Sequence, residues 1–286
     1  MRGRTISYEI FPFSFKEYLQ FQGITVNLHS SKSLSFIQNG LKSYLIDGGF
    51  PETIEQDAHI SRKILSDYLE LIVYKDIVDR YNITNRSLLK TLTKYCFTNV
   101  ATLLSLNKLY NEFKSQGYKL SKDTLFNYIS HLEDAYTLFS LPIYRNSIKE
   151  ENRNPKKIYA IDNGFKKIYD YAISEDMSKL YENIVFLHLR RQSQDIYYYK
   201  IKQEVDFYTR IEGQEYLINV SYQMHDERTQ KREIDGLIEA MEYFNLHEAY
   251  LITHTEDSKV EINNKIIHIQ PLYKFLLSEF ESWVWL

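Results

Sequence analysis

The sequence predicts a mixed protein of the α+β and α/β classes, in which a helical first half precedes a mixed sheet with flanking helices. In residues 85–141, apolar side chains recur at the three- and four-residue intervals of a helix. The second half contains short segments that alternate or run continuously apolar, as strands do. The first three predicted strands are residues 196–200, 204–210 and 214–221, with Gly213 at the turn between the last two.

The order of the later elements indicates how the sheet is completed. A helix is predicted at residues 225–244, and a strand follows at residues 249–253. Strand, helix and strand at this spacing place the two strands parallel, with the helix on one face of the sheet. A hairpin across Asn263 and Asn264 and a last helix at residues 272–281 end the pattern.

The composition is that of a globular protein. A length of 286 residues predicts two domains, and a net charge of −3 means that any nucleic-acid site must be local. The single cysteine, Cys96, excludes an intramolecular disulfide, and its apolar neighbours place it in the core. No segment approaches the roughly 20 apolar residues of a membrane span. We therefore expect a cytoplasmic protein with no membrane partner.

The first half begins with a strand-like segment, residues 1–12, that has no earlier element to pair with. An independent domain rarely begins in this way. A helical region follows at residues 21–172, and a second domain at residues 173–286. The predicted helices of the first part are residues 15–20, 34–44 and 62–81, with a loop at 47–51.

The helical region contains a winged-helix pattern. Two short helices, residues 108–115 and 122–133, are joined by a turn at Gly117, and two strands follow them. The predicted strands are residues 136–144 and 157–161, and the polar loop at 149–157 is the predicted wing.

The second of these helices begins at Lys122, a candidate nucleic-acid contact. A helix that reads DNA brings several cations to the phosphates. From Lys108 to Asp134, however, four lysines are balanced by four acids. A structural or protein-contacting role for this helix therefore competes with DNA reading.

Acidic side chains mark the second domain. In strand 204–210, two-residue alternation predicts Glu204, Asp206 and Tyr208 on one face, opposite Val205 and Phe207. An acid in an apolar strand costs free energy to bury unless a partner pairs with it. The partner is either a metal ion or a nearby cation or tyrosine.

A helix Glu, a strand Asp and a neighbouring strand with Glu-x-Lys are the arrangement of nucleases with the restriction-endonuclease-like fold. Their carboxylates hold Mg²⁺ and their Lys orients the attacking water. Glu182 and Asp206 match the first two positions and are the candidate metal ligands. Asn219 and Ser221 stand where the Glu and Lys belong; an amide oxygen can bind a metal only weakly, and a hydroxyl cannot replace an ammonium. We therefore predict a degraded catalytic centre, with a weak Mg²⁺- or Mn²⁺-dependent nuclease as the alternative.

A cationic segment follows the strands. Arg228 and Arg232 lie one helical turn apart, with Lys231 beside them. These three side chains are candidate phosphate contacts, and a solvated helix face is the alternative.

Several short segments together resemble a bacterial and archaeal family of AAA-type ATPases with a C-terminal module of unknown function. No single segment is specific, but their order and spacing extend over nearly the whole chain. They are GR at residues 3–4, FPFSFKEY at 11–18, GGFPE at 48–52, IYAIDNG at 158–164 and EVDF at 204–207.

The resemblance implies a P-loop ATPase domain, then a winged-helix region, then a restriction-endonuclease-like domain, so that residues 1–20 correspond to the end of the ATPase domain. None of the nine glycines belongs to a Gly-x₄-Gly-Lys-Ser/Thr loop, so we expect no ATP binding by this chain alone. The expected function is that of a binding module for nucleic acid or a protein partner, without a cofactor other than Mg²⁺. A fragment of an interrupted ATPase gene is a third interpretation.

Overall fold

The computed structural model describes residues 8–169, 177–224 and 227–278. Over this range, a helical N-terminal part leads into a six-stranded mixed sheet with flanking helices. The predicted α+β class is confirmed.

Polar side chains cap the helices of the N-terminal part. These helices are α1 (Phe15–Phe21), α2 (Ser31–Asp47), α3 (Ala58–Leu71), α4 (Arg86–Thr98), α5 (Leu106–Ser115) and α6 (Lys122–Asp134). Ser14 and Glu17 form a capping box at α1, and Asp57 accepts two N–H groups at the start of α3. The helix predicted to reach residue 81 continues after α3 as a π-helix, Ile72–Asp79.

A small antiparallel sheet follows the helices. Its strands are β1 (Thr102–Leu104), β2 (Leu138–Leu141) and β3 (Lys156–Ala160), and a short helix, α7 (Ile148–Arg153), lies between β2 and β3. The strand order is β1-β3-β2, so the most buried strand, β3, is central. The register pairs Thr102 with Ile158 and Phe139 with Tyr159.

Three local predictions were wrong. The segment around β1 was predicted to be helical, but β1 pairs with β3 far along the chain, and such a partner is invisible to local periodicity. The predicted wing at residues 149–157 contains α7, which buries none of its side chains and is therefore as polar as a loop. Residues 8–12 form no strand; residues 1–7 of that predicted strand lie outside the described residues.

The large sheet has the order β4-β5-β6-β7-β9-β8. Its strands are β4 (Ile196–Lys200), β5 (Glu204–Ile211), β6 (Gln214–Val220), β7 (Glu248–Thr253), β8 (Ser258–Ile262) and β9 (Lys265–Pro271). The accompanying helices are α8 (Gly164–Tyr169), α9 (Met177–Arg190), α10 (Glu227–Phe244) and α11 (Leu272–Leu277). The unit β6-α10-β7 has parallel strands, as predicted. The predicted hairpin is confirmed, with Asn263 and Asn264 at φ 52° and 61°.

Two ends of predicted helices lie outside the described residues: residues 225–226 before α10 and residues 279–281 after α11. Within the described ranges, no helix has both the length and the apolar character that crossing a membrane requires.

The two faces of the large sheet pack against different partners. Leu237, Ala240 and Met241 of α10 cover one face. The other face joins α9 and the helical part in a single larger core, to which Phe186 and Phe207 belong. The small sheet lies against this second face, so the two halves of the chain share one interior.

Two glycine-containing motifs meet at a buried carboxylate in this interior. Asp162 accepts the N–H groups of Gly49 and Gly164, each at 2.7 Å. Gly48 has φ 84°, and a Cβ there would lie 1.7 Å from the Asp162 carboxylate. Only glycine fits this approach, so the segments 48–52 and 158–164 can meet at the Asp162 carboxylate.

Candidate functional site

The ammonium group of Lys157 lies at the centre of an acidic cluster. Lys157 comes from β3 of the small sheet, and its side chain is only 4% exposed. Its Nζ lies 3.0 Å from Glu182 Oε1 of α9, 2.8 Å from Glu204 Oε1 of β5 and 2.8 Å from Asp206 Oδ1 of β5. We call these four residues the ion-pair centre. It joins the two halves of the chain through mostly buried charges, of which Glu204 is the most exposed, at 28%.

Tyr159 supports the ion-pair centre from the same face of β3. Its hydroxyl donates a 2.7 Å hydrogen bond to Glu182 Oε1. Its ring stacks on Phe186, with 4.2 Å between the ring centroids. Glu182 is therefore held by a hydroxyl and an ammonium from two alternate residues of one strand.

A β-bulge in β5 determines which side chains share a face with Glu204 and Asp206. The β4–β5 register pairs Tyr197 with Tyr208 but Tyr199 with Val205, so β5 has one extra residue between these pairs. The bulge reverses the alternation: Phe207 packs beside Tyr159, whereas Val205 and Tyr208 pack beneath α10. The prediction that Tyr208 shares a face with Glu204 and Asp206 was wrong for this reason.

Asp206 and Asn219 continue the β5–β6 ladder through their side chains. The Asp206 N–H donates to Asn219 Oδ1, and the Val220 N–H donates to Asp206 Oδ2, both at 2.9 Å. Asn219 Nδ2 in turn donates to Glu233 Oε2 of α10 at 2.8 Å. Asn219 therefore uses its amide to hold the strand ends and α10 together.

Three carboxylates surround the Lys157 ammonium, and Lys200 pairs with one of them, Glu204, at 3.4 Å. The carboxylates therefore still outnumber the ammonium groups. Burial lowers the pKa of Lys157, but Asp206 and Glu182 outweigh it and raise that pKa well above its usual value. Burial raises the pKa of Glu182 to about 7, with Lys157 opposing the shift and Asp206 adding to it. For Glu204, burial raises the pKa, but the ammonium groups of Lys157 and Lys200 together outweigh burial and lower that pKa.

The raised pKa of Glu182 predicts a pH effect on stability. The folded protein holds this proton more tightly than the unfolded chain, whose Glu pKa is near 4.5. The contribution of Glu182 to the free energy of unfolding should therefore fall as the pH rises from about 4.5 to about 7. Urea unfolding at several pH values should show a weaker decline for Glu182→Gln than for the wild type. Parallel curves would contradict the prediction.

An amide network beside the ion-pair centre fixes α9 against β3. Asn183 Oδ1 accepts the Ala160 N–H at 2.9 Å, and Asn183 Nδ2 donates to Ala160 O at 3.1 Å and Asn163 Oδ1 at 2.9 Å. Asn163 donates onward to carbonyls of α2 and α9. Asn183 is fully buried, so Glu182 is positioned by a rigid neighbour.

The predicted cationic residues occupy two places. Arg228, Lys231 and Arg232 line a shallow surface pocket of α10 together with Gln203 from the β4–β5 turn. Arg232 also pairs with Glu233 at 2.6 Å, which connects this pocket to Asn219. We call Arg228, Lys231 and Arg232 the basic cluster.

Lys122 is separate from the basic cluster. It lies at the start of α6, with its Nζ 5.7 Å from the ring centroid of Tyr110 in α5.

The candidate catalytic residues are only partly brought together. Glu182, Asp206 and Asn219 lie in one network of contacts. The hydroxyl of Ser221 instead donates to the Gln223 carbonyl at 3.3 Å. Among the described residues, no group of three or more His, Cys, Asp or Glu side chains has an arrangement that could hold a metal ion.

Sequence reasoning did not identify Lys157, Tyr159 or Glu233 as parts of the site. A signal for Lys157 was present, because it alternates with Tyr159 on one face of a strand whose opposite face carries the apolar Ile158. Only the folded chain shows that this face meets β5. Glu233 belongs to a charged helix, where its sequence context resembles that of any solvated acid.

Two family models match this chain, and the two matched regions overlap at the start of α9. Residues 38–182, half of the chain, match the family model "Domain of unknown function (DUF8612)". The chain belongs to the DUF8612 family. Residues 177–275 match a second model, "Domain of unknown function (DUF4143)". In this DUF8612 chain, Lys157 lies in the first match and Asp206 in the second, while Glu182 lies in both.

Two longer proteins are similar to this DUF8612 chain. The "Uncharacterized protein MJ1544" of Methanocaldococcus jannaschii is 32% identical over 97% of the chain and 65% of its own length. An "Uncharacterized protein" of Haemophilus influenzae is 25% identical over 78% of the chain and 55% of its own length. The chain thus spans between about half and two thirds of these relatives. No solved structure is significantly similar to it.

Proposed function

We propose that this DUF8612 chain is a non-catalytic nucleic-acid-binding module, built from a winged-helix part and a restriction-endonuclease-like sheet. The observation that carries the proposal is the position of Lys157 Nζ, within 3.0 Å of all three carboxylates of the ion-pair centre. An internal cation stands where a nuclease would hold its metal.

The chemistry of the other positions supports the loss of hydrolysis. Mg²⁺ needs oxygen ligands at about 2.0–2.1 Å in octahedral geometry, and an ammonium at hydrogen-bond distance from the same oxygens competes for that space. Asn219 brings no charge, and its amide is already bonded to Asp206 and Glu233. Ser221 points its hydroxyl at a backbone carbonyl. The remaining function is therefore binding.

The basic cluster supports nucleic acid as the ligand. Its three side chains are exposed on the first turns of α10, beside the β4–β5 turn, which carries the exposed Lys202. Cations concentrated at one place bind phosphates even when the net charge of the protein is negative. Hydrogen bonds lead from Arg232 through Glu233 to Asn219 and the ion-pair centre, so the former catalytic network would now orient the phosphate-binding surface.

The resemblance to AAA-type ATPases adds a context to the proposal. In that family, the module follows an ATPase core, and the relatives of this chain are longer than the chain itself. The module would thus bind nucleic acid, and a separate ATPase domain would bind ATP. This chain alone would not bind ATP. A chain left by an interrupted ATPase gene would keep the same binding surface.

We expect purified protein to retard labelled single-stranded, duplex or branched DNA without cleaving it in Mn²⁺, and we expect retardation to weaken as salt rises. Exchanging Arg228, Lys231 and Arg232 for Glu should abolish it. A matched control exchanges the exposed Lys32, Lys42 and Lys63 of the helical part for Glu, which changes the net charge equally.

Three outcomes would decide against the proposal. Mn²⁺-dependent cleavage that is lost in Asp206→Asn would establish the alternative, a weak nuclease. Equal loss of retardation in both charge-reversed variants, or no retardation by the wild type, would show that the basic cluster is not a nucleic-acid site.

A further inference from the structure

A pocket of about 190 Å³ lies in the helical part of the chain, where α3 and the π-helix that continues it meet α4 and α8. Its apolar wall contains Leu69, Val73 and Val78, together with Ile168 and Tyr169 at the end of α8. Ile168 and Tyr169 are only half-buried, so part of their apolar surface remains accessible. No residue of the ion-pair centre or the basic cluster lines this pocket.

The π-helix explains how two valines come to share the wall. Val73 and Val78 are five residues apart, and a π-helix forms its hydrogen bonds between residues i and i+5. In an α-helix, with 3.6 residues per turn, side chains five residues apart would point roughly 140° away from each other. The wider turns therefore let both valines face the same pocket as Leu69, which lies one turn earlier.

One face of α4 forms the polar side of the pocket. Arg86, Lys90 and Thr93 follow each other at spacings of four and three residues, which places them on the same side of the helix. Thr93 is buried, and its hydroxyl donates to the carbonyl of Leu89 at 2.8 Å. Arg86 and Lys90 are exposed. The pocket is therefore apolar inside and cationic at its rim.

The charge at the rim favours an anion. Among the described residues that line the pocket, Glu70 is the one acid, against the two cations Arg86 and Lys90. The local charge is thus positive in a chain whose net charge is −3. A carboxylate has two oxygens, so it can accept charge-assisted hydrogen bonds from a guanidinium and an ammonium at once.

The volume of the pocket limits the size of its ligand. An apolar cavity of about 150 Å³ is large enough to bind benzene. A pocket of about 190 Å³ therefore has room for one aromatic ring, or for a branched alkyl chain of similar size.

We propose that this pocket binds a small organic acid. The apolar body of the acid lies against Leu69, Val73 and Val78, and its carboxylate pairs with Arg86 and Lys90. The site lies apart from the basic cluster and takes a small molecule, so it goes beyond the proposed nucleic-acid function and does not depend on it.

Phenylacetate is the probe, and phenylacetamide, which has nearly the same shape but no charge, is its neutral analogue. The Arg86→Gln, Lys90→Gln double variant removes both rim cations. The Lys94→Gln, Lys108→Gln double variant is the matched control, because it removes two exposed lysines of α4 and α5 that do not line the pocket. Ser66→Phe places a ring in the pocket from the α3 side.

We expect saturable binding of phenylacetate to the wild type and to the control variant, measured by titration calorimetry or ligand-observed NMR. Binding of phenylacetamide to the wild type, and of phenylacetate to the Arg86→Gln, Lys90→Gln variant, should be about tenfold weaker. Ser66→Phe should abolish binding; the two double variants change only exposed side chains and serve as the test if Ser66→Phe does not fold.

Three results would overturn the proposal. They are no saturable binding of phenylacetate by the wild type, equal affinity of the wild type for phenylacetamide, and equal affinity of the two double variants for phenylacetate. Full binding by a folded Ser66→Phe protein would place the probe elsewhere and would overturn it as well.

Discussion

Replacing Lys157 by Met should lower the free energy of unfolding by roughly 3–5 kcal/mol, the usual cost of removing one partner from a buried ion pair. The three carboxylates would then lose the cation that they share, and Glu204 would keep only its longer ion pair with Lys200, at 3.4 Å. Mn²⁺ should restore part of the loss, because a divalent cation that binds only the folded state stabilises it. Urea unfolding in EDTA and in MnCl₂ measures both effects.

Two controls make the Lys157 result specific. Lys156→Met alters the neighbouring, less buried lysine of β3 and should change stability little, with no response to Mn²⁺. Adding Asp206→Asn to Lys157→Met should recover some stability in EDTA, since one repulsive charge is gone, and should abolish the Mn²⁺ effect. An Mn²⁺ response as large in wild type as in Lys157→Met would mean that the lysine does not occupy the place of a metal.

The second large effect is expected at Asn183. Asn183→Ala would leave the buried N–H and C=O of Ala160 and the amide oxygen of Asn163 without their partner. An unsatisfied buried polar group costs about 1–3 kcal/mol, so the free energy of unfolding should fall by about 3 kcal/mol or more. Chemical denaturation measures the change.

The matched control for Asn183 is Asn146→Ala, since Asn146 is exposed and makes one 3.2 Å hydrogen bond to the hydroxyl of Tyr243. Its effect should stay within about 0.5 kcal/mol. Similar losses for both variants would contradict the view that the amide network fixes α9 against β3.

Much of the large sheet was predictable from local patterns. The strands β4 to β6 stand between clear turns, and the strand–helix–strand order required β6 and β7 to lie parallel. The hairpin at Asn263 and Asn264 follows from residues that tolerate positive φ. In each case the physical cause lies within a few residues of its effect.

The bulge in β5 shows where local pattern fails. Two-residue alternation along β5 predicts which face of the sheet Phe207 and Tyr208 occupy. A single extra residue opposite β4 reverses the predicted face of every residue after it. Nothing in the segment 204–208 marks the extra residue, because its position depends on the pairing with another strand.

The sequence by itself determined the mixed fold class, the strands of the large sheet, and the presence of acids at Glu182, Glu204 and Asp206. Only the tertiary structure decided what those acids bind. Lys157 is 25 residues from Glu182 and 49 from Asp206 along the chain, and it reaches them because the small sheet packs against the large one. The pairing of buried charges is a property of that packing, since their partner is set by distance in space and by the exclusion of water, neither of which a local pattern contains.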